Sequence, residues 1–137
     1  MKIFITGVAG FLGSHLADQM LAEGHTVVGN DNMIGGYADN VPQEVEFHQI
    51  DCCDLENLTK AMQDCDIVYH TAATAYEGLS VVSPVLVTKN IFEASVTTIT
   101  AAIRNKVKRF VYCSSMARYG KHDETPYKET YECRPQD

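Results

Sequence analysis

The amino-acid sequence predicts an α/β fold in three α/β/α layers, with helices on both faces of a doubly wound parallel sheet. Short apolar runs of strand type alternate with longer runs of helical spacing along nearly all 137 residues, the pattern of successive βαβ units. A glycine-rich turn lies between the first strand and the first helix. The second strand is almost continuously apolar, as strands covered on both faces are.

Lys2–Thr6 reads as the first strand. Residues 11–24 read as a helix, with Leu12, Leu16, Gln19/Met20 and Glu23 at helical spacing and Gly24 as its stop. Thr26–Asn30 is the second strand, and 32–44 is a loop broken by Gly35, Gly36 and Pro42. Residues 45–50 alternate weakly as a third strand, and 55–63 suit a helix capped by Asp54. Residues 66–71 form a fourth strand around Ile67-Val68-Tyr69, and 109–113 a fifth around Phe110-Val111-Tyr112. Between them a long helix starts at Pro84 or Val87 and runs through Lys106. It carries two apolar stripes, one of Ile91, Ala94, Thr98 and Ala101, the other of Phe92, Val96, Ile99 and Ile103. A surface helix needs one stripe, so the second predicts a further packing partner. Residues 121–137 are polar, with Pro126 and Pro135, and read as a loop.

Composition narrows the function classes. With 45% apolar and 21% charged residues the chain has the profile of a soluble globular domain. Eleven basic against eighteen acidic residues give a net charge of −7, which disfavours non-specific binding to nucleic acid or anionic lipid. No apolar run approaches the roughly 20 residues that span a bilayer. The five cysteines lack CxxC spacing and a histidine partner, so no metal site is expected; the odd count fits a reducing, cytoplasmic setting. The vicinal pair Cys52-Cys53 reads as buried or semi-buried reduced thiols. His15 is expected to pack behind the glycine turn, and His48 and His70 to be strand-end residues rather than acids or bases.

The turn Gly7-Val8-Ala9-Gly10-Phe11-Leu12-Gly13 stands where the first βα turn of a Rossmann-type fold binds a dinucleotide. Glycine is required there because backbone must turn off the strand and approach a pyrophosphate, which the helix N-terminus then receives. Eighteen residues after Gly13 comes Asp31, whose carboxylate can accept from ribose hydroxyls and repels a 2′-phosphate. No basic residue adjoins it in Gly29-Asn30-Asp31-Asn32-Met33, which favours NAD over NADP.

In order, these segments resemble the extended short-chain dehydrogenase/reductases, in their NAD-dependent epimerase/dehydratase branch, whose familiar members are UDP-glucose 4-epimerases. Thr6-Gly7-Val8-Ala9-Gly10-Phe11-Leu12-Gly13-Ser14-His15 is similar to the family's TGxxGFxGSH opening, and Asp31-Asn32 to its ribose-binding pair. The resemblance places Asp51 at the adenine end with Cys52 beside the ring, and sets Thr71, Ala72 and Ala73, after His70, along the cofactor. It sets Asn90, among the cofactor-binding residues, near the asparagine that steadies the active site, and identifies Ser115 in Tyr112-Cys113-Ser114-Ser115-Met116-Ala117-Arg118-Tyr119-Gly120 as the catalytic serine, with Cys113 beside the cofactor. Tyr76 and Glu77 lie in a loop that lines the substrate site in the family; Ala75 stands where 4-epimerases often carry lysine.

The implied chemistry is transient hydride transfer from a sugar carbon to NAD, with a tyrosine phenolate as base beside a lysine. None of the seven tyrosines is followed four residues later by lysine. The expectation is that residues 1–137 are the NAD(P)-binding domain of a longer nucleotide-sugar epimerase or dehydratase, with the Tyr-x-x-x-Lys beyond Asp137, a UDP-sugar as the substrate, and a homodimer formed through the helix near 87–106. Two other readings remain: a non-catalytic NAD-binding regulator, and a reductase of the same superfamily acting on a non-sugar carbonyl.

Overall fold

Strand β1 (Lys2–Thr6) lies at the centre of the sheet, and four of its five residues are buried. The computed structural model describes residues 1–76, 78–123 and 125–136. From β1 the chain passes through helix α1 (Phe11–Ala22) to β2 (Thr26–Asn30) and β3 (Glu46–His48), then through α2 (Leu55–Ala61) to β4 (Ile67–His70) on the other side of β1. Helices α3 (Leu79–Val82) and α4 (Pro84–Val87), a π-helical stretch (Thr88–Glu93) and α5 (Ala94–Arg104) lead to β5 (Arg109–Tyr112). The sheet is parallel throughout, in the order β3-β2-β1-β4-β5. Its order reverses between β1 and β4, the switch point at which doubly wound folds bind ligands beyond the carboxyl ends of their strands.

Alternation along β1 splits the core into two layers. Phe4 faces Val28, Leu58, Met62, Val68 and Ala101 beneath α2 and α5. Ile3 and Ile5 face Val8, Ala17, Val27 and Val45 beneath α1. Thr6 and His70 follow the parity of Phe4 and Val68, so the strand ends carry a buried polar layer above the first apolar one.

Several expectations need correction. Helix α1 buries Gly13, Ser14 and Ala17; of the expected stripe, Leu16 and Met20 pack half-buried against the core, while Leu12, Gln19 and Glu23 are exposed. Small residues form that face because the helix lies against the turn: a Cβ on Gly13 would come within 2.2 Å of the Gly7 carbonyl oxygen. The helix stops at Ala22, not 24, in a Schellman end: Gly24 takes φ +80° and donates to Leu21, and His25 donates to Met20. His15 does not pack behind the turn; it is exposed, with its ring 4.7 Å from that of Phe11.

The long helix starts at Pro84 but is interrupted by π geometry and ends at Arg104, where Lys106 takes φ +54° in the same kind of end. Leu79 and Ser80, which the resemblance puts in the substrate-site loop with Tyr76 and Glu77, instead open the short helix α3. The two stripes are real and differ in fate. Ala94, Thr98 and Ala101 are buried, while Phe92, Val96, Ile99 and Ile103 are exposed.

Candidate functional site

The carboxyl ends of β1, β2 and β4 converge on the glycine turn. Gly7 leaves β1 at φ +68°, and both its amide and that of Val8 donate to the Asn30 carbonyl at the end of β2, at 2.7 and 3.1 Å. A Cβ on Gly7 would approach the Ala72 Cα to 2.9 Å, so only glycine lets the turn pass against the chain leaving β4. Helix α1 then begins without a side-chain cap from Gly10 and without an acidic residue in its first turn. Its first-turn amides and positive dipole end are therefore open to an anion. Phe11 and Leu12, at this end, are exposed.

Asp31 lies beside the turn and is buried. Its Oδ2 accepts the Ala9 amide at 3.1 Å and its Oδ1 the Met33 amide at 2.8 Å. The Ala9 carbonyl accepts from the Tyr37 amide and the Asn40 side chain, folding the 32–44 loop across this edge. Gly36 fits there because a Cβ would stand 2.7 Å from that of Ala9 and 3.0 Å from Asp31 Oδ2. Further along the edge, Asn32 Nδ2 donates to Asp51 Oδ2 at 3.3 Å, and the Cys53 amide to Asp51 Oδ1 at 2.8 Å. Partial burial raises the Asp51 carboxyl, but these donors outweigh it and hold the group below the usual carboxylate range.

The Cys52 thiol turns inward, accepting from Asn30 Nδ2 at 3.4 Å, and burial pushes its pKa up. Cys53 is pushed up to about 12 by burial and by Asp51. Both cysteines are free thiols. Asn30 also ties β2 to the next segment by donating to the Ile50 carbonyl at 2.8 Å.

On the β4 side, the Thr71 and Ala72 amides donate to Thr6 Oγ1, each at 3.1 Å, and Thr71 Oγ1 donates to the Thr6 carbonyl. Ala73 is exposed beyond them. Asn90 Nδ2 donates to Thr74 Oγ1 at 2.9 Å, holding the π-helical stretch to the chain after β4. The Cys113 amide donates to the His70 carbonyl at 3.2 Å, with its side chain exposed. Ser115 lies just past β5, where its Oγ accepts the Ala117 amide at 3.1 Å and caps the single turn Met116–Tyr119. Tyr76 is exposed between β4 and α3; Glu77 lies outside the described residues.

The structure thus gathers Gly7, Gly10, Gly13, Asp31, Asn32, Asp51, Thr71 and Ala72 along the carboxyl edge of the sheet, with Ser115 beyond β5 at the same edge. An uncapped helix end for phosphates, a carboxylate at the end of β2 and closely packed backbone form a donor and acceptor set that suits a dinucleotide. Sequence reasoning missed Ala9, which acts through its backbone, and Thr6 as a hub. A polar residue closing an apolar strand was the available signal for Thr6.

Comparison with known proteins gives the same architecture a family. The model of the NAD dependent epimerase/dehydratase family matches residues 3–137. A UDP-glucose 4-epimerase from Caenorhabditis elegans is 32% identical over 94% of this chain and 42% of its own length. A UDP-glucose 4-epimerase from Thermus thermophilus, solved in complex with NAD, superposes with a TM-score of 0.92 at 34% identity, over 98% of this chain and 45% of that one. A dTDP-glucose 4,6-dehydratase from Streptomyces venezuelae, solved with NAD bound, gives a TM-score of 0.90 at 25% identity, over 98% and 46%. The chain spans less than half the length of these relatives. With a parallel Rossmann-type sheet and a family match over nearly every residue, the chain belongs to the NAD-dependent epimerase/dehydratase family.

Proposed function

We propose that residues 1–137 form the NAD-binding domain of a nucleotide-sugar epimerase, with a UDP-sugar as substrate and C4 as the carbon that is inverted. The observation that carries this reading is the pairing of an uncapped α1 N-terminus with Asp31 at the end of β2, which suits a pyrophosphate and an unphosphorylated ribose together. Bound there, NAD supplies a reversible hydride acceptor.

The chain's own residues hold and orient. The first-turn amides of α1 receive the pyrophosphate, Asp31 and Asn32 the adenosine ribose, and Asp51 the adenine end. The backbone at Thr71, Ala72 and Ala73 and the residue Cys113 flank the cofactor, and Ser115 donates a hydrogen bond to the sugar oxygen that loses its proton. Tyr76 and Glu77 border the sugar. The exposed stripe of Phe92, Val96, Ile99 and Ile103 is read as the face that meets a second copy of the chain, because four large apolar side chains in water call for cover.

Incubating the protein at its natural length with UDP-glucose and no added hydride donor tests the reading: a C4 epimer is expected. Product formed only when NADH is supplied points to the reductase alternative. NAD binding without turnover, in a gene lacking Tyr-x-x-x-Lys, points to the regulator.

A further inference from the structure

The buried polar layer at the strand ends has a determinate direction of hydrogen bonding. Thr6 Oγ1 accepts the Thr71 and Ala72 amides, which fills both lone pairs of a hydroxyl oxygen. Its proton must therefore leave in another direction, and His70 Nδ1 lies 2.8 Å away. Nδ1 is consequently the acceptor. On the other side of the ring, Nε2 lies 3.0 Å from Ser95 Oγ, and the Ser95 hydroxyl already donates to the Ile91 carbonyl. Nε2 is consequently the donor. A proton on Nδ1, in the other tautomer or in the imidazolium, would aim a third N–H at an oxygen with no lone pair left. His70 is 2% exposed, so water cannot relieve that conflict.

We propose that His70 is a positioning residue for the cofactor edge: as the neutral Nε2–H tautomer it takes the Thr6 proton, and so locks Thr6 as the double acceptor that sets the Thr71–Ala72 backbone. That backbone is where precision is needed, because Ala72 already lies close enough to the turn to forbid a Cβ on Gly7. The same ring, through Ser95 and Ile91, joins this edge to the π-helical stretch and so to Asn90, which holds Thr74. One buried imidazole thus fixes the segment after β4 from the strand side and links it to the helix. Its effect on NAD rests on the proposed function; the tautomer and the backbone positioning do not.

The test uses protein of natural length with 15N-labelled histidine rings. At neutral pH, long-range proton–nitrogen spectra are expected to show His70 with its proton on Nε2; an Nδ1–H form or an imidazolium overturns the proposal. In His70→Phe, exchange of the Thr71 and Ala72 amides is expected to quicken by about tenfold, the loss of one neutral hydrogen bond. His70→Asn, which returns an acceptor near the Nδ1 position, is expected to recover most of that protection. Unchanged exchange in a folded His70→Phe protein, or no recovery in His70→Asn, overturns the positioning role. NAD affinity is expected to fall about fivefold in His70→Phe and to recover in His70→Asn. Should the wild type fail to bind NAD, the proposed function falls, and the tautomer and exchange measurements still decide the role of His70.

Discussion

Ala9 and Asp31 are joined across the first βα turn, the Asp31 carboxylate accepting the Ala9 amide at 3.1 Å while the Ala9 carbonyl receives Tyr37 and Asn40 from the loop after β2. The residue proposed to hold the ribose is therefore also a latch for the glycine turn.

Replacing Asp31 by alanine removes both functions. NAD affinity is expected to fall at least about tenfold, since hydrogen bonds to a charged group contribute roughly 1.5–3 kcal/mol. Discrimination against NADP should weaken in the same variant, because the repulsion of a 2′-phosphate is gone. Calorimetric titration with both dinucleotides checks this, and equal NAD affinity in wild type and variant would refute the assignment.

The two Schellman ends predict substitutions of opposite sign. Gly24 takes φ +80° with open space around its Cβ position, so Gly24→Ala should cost about 1 kcal/mol through backbone strain alone. Lys106 takes φ +54° at the matching position after α5, so Lys106→Gly should stabilise by a few tenths to about 1 kcal/mol. Urea denaturation of both variants tests the pair. Gly13→Ala, by contrast, would drive a Cβ into the Gly7 carbonyl and should cost about 3 kcal/mol or more.

Acid should destabilise the fold in a window set by His70. Burial lowers its pKa from 6.5 to about 4, so between those values the unfolded chain binds more protons than the folded one. Stability from this group is complete above about pH 6.5 and is lost as pH falls towards 4, on the order of 3 kcal/mol in all. Asp51, held below its usual value, adds a separate loss at still lower pH. Denaturation midpoints measured from pH 7 to 4 should show the first slope in the wild type and not in His70→Asn.

Assembly should depend on the exposed stripe. Ile103 is 71% and Val96 48% exposed, so Val96→Glu with Ile103→Lys should leave the fold intact and, on the proposed homodimer, lower the sedimentation coefficient to that of a monomer. A wild type that sediments as a monomer, or a dimer unchanged by the two substitutions, would refute the proposed role of the stripe.

The strands were legible because β1 and β2 are short apolar runs between clear breaks, and the structure reproduces both at their expected bounds. Asp54 was legible as a cap, and it accepts the Asn57 amide. The inward face of α1 was legible only in part: Leu16 and Met20 do pack against the core, but large apolar residues give no sign of Gly13, Ser14 and Ala17, whose smallness is what admits the helix against the turn. The Thr6–His70 pair was not legible either, since 64 residues separate the partners and only the β1–β4 register brings them together. Nothing in Thr88–Glu93 marks a π turn in advance: the stretch has neither proline nor glycine, and its anchors Thr74 and Ser95 lie outside it.

That π turn amounts to one surplus residue in an otherwise regular helix, and one residue is about 100° of rotation. It sets the relative facing of two halves: Asn90 inside it, directed to the segment after β4, and the stripes of α5 beyond it, one on the sheet and one in water. A lineage that lost one residue here would keep a continuous helix and hydrogen-bonded backbone. It would also turn the exposed stripe of α5 away from the segment after β4 by roughly a quarter circle, so the length of this stretch, more than any side chain in it, keeps the carboxyl edge of the sheet and that apolar face in step.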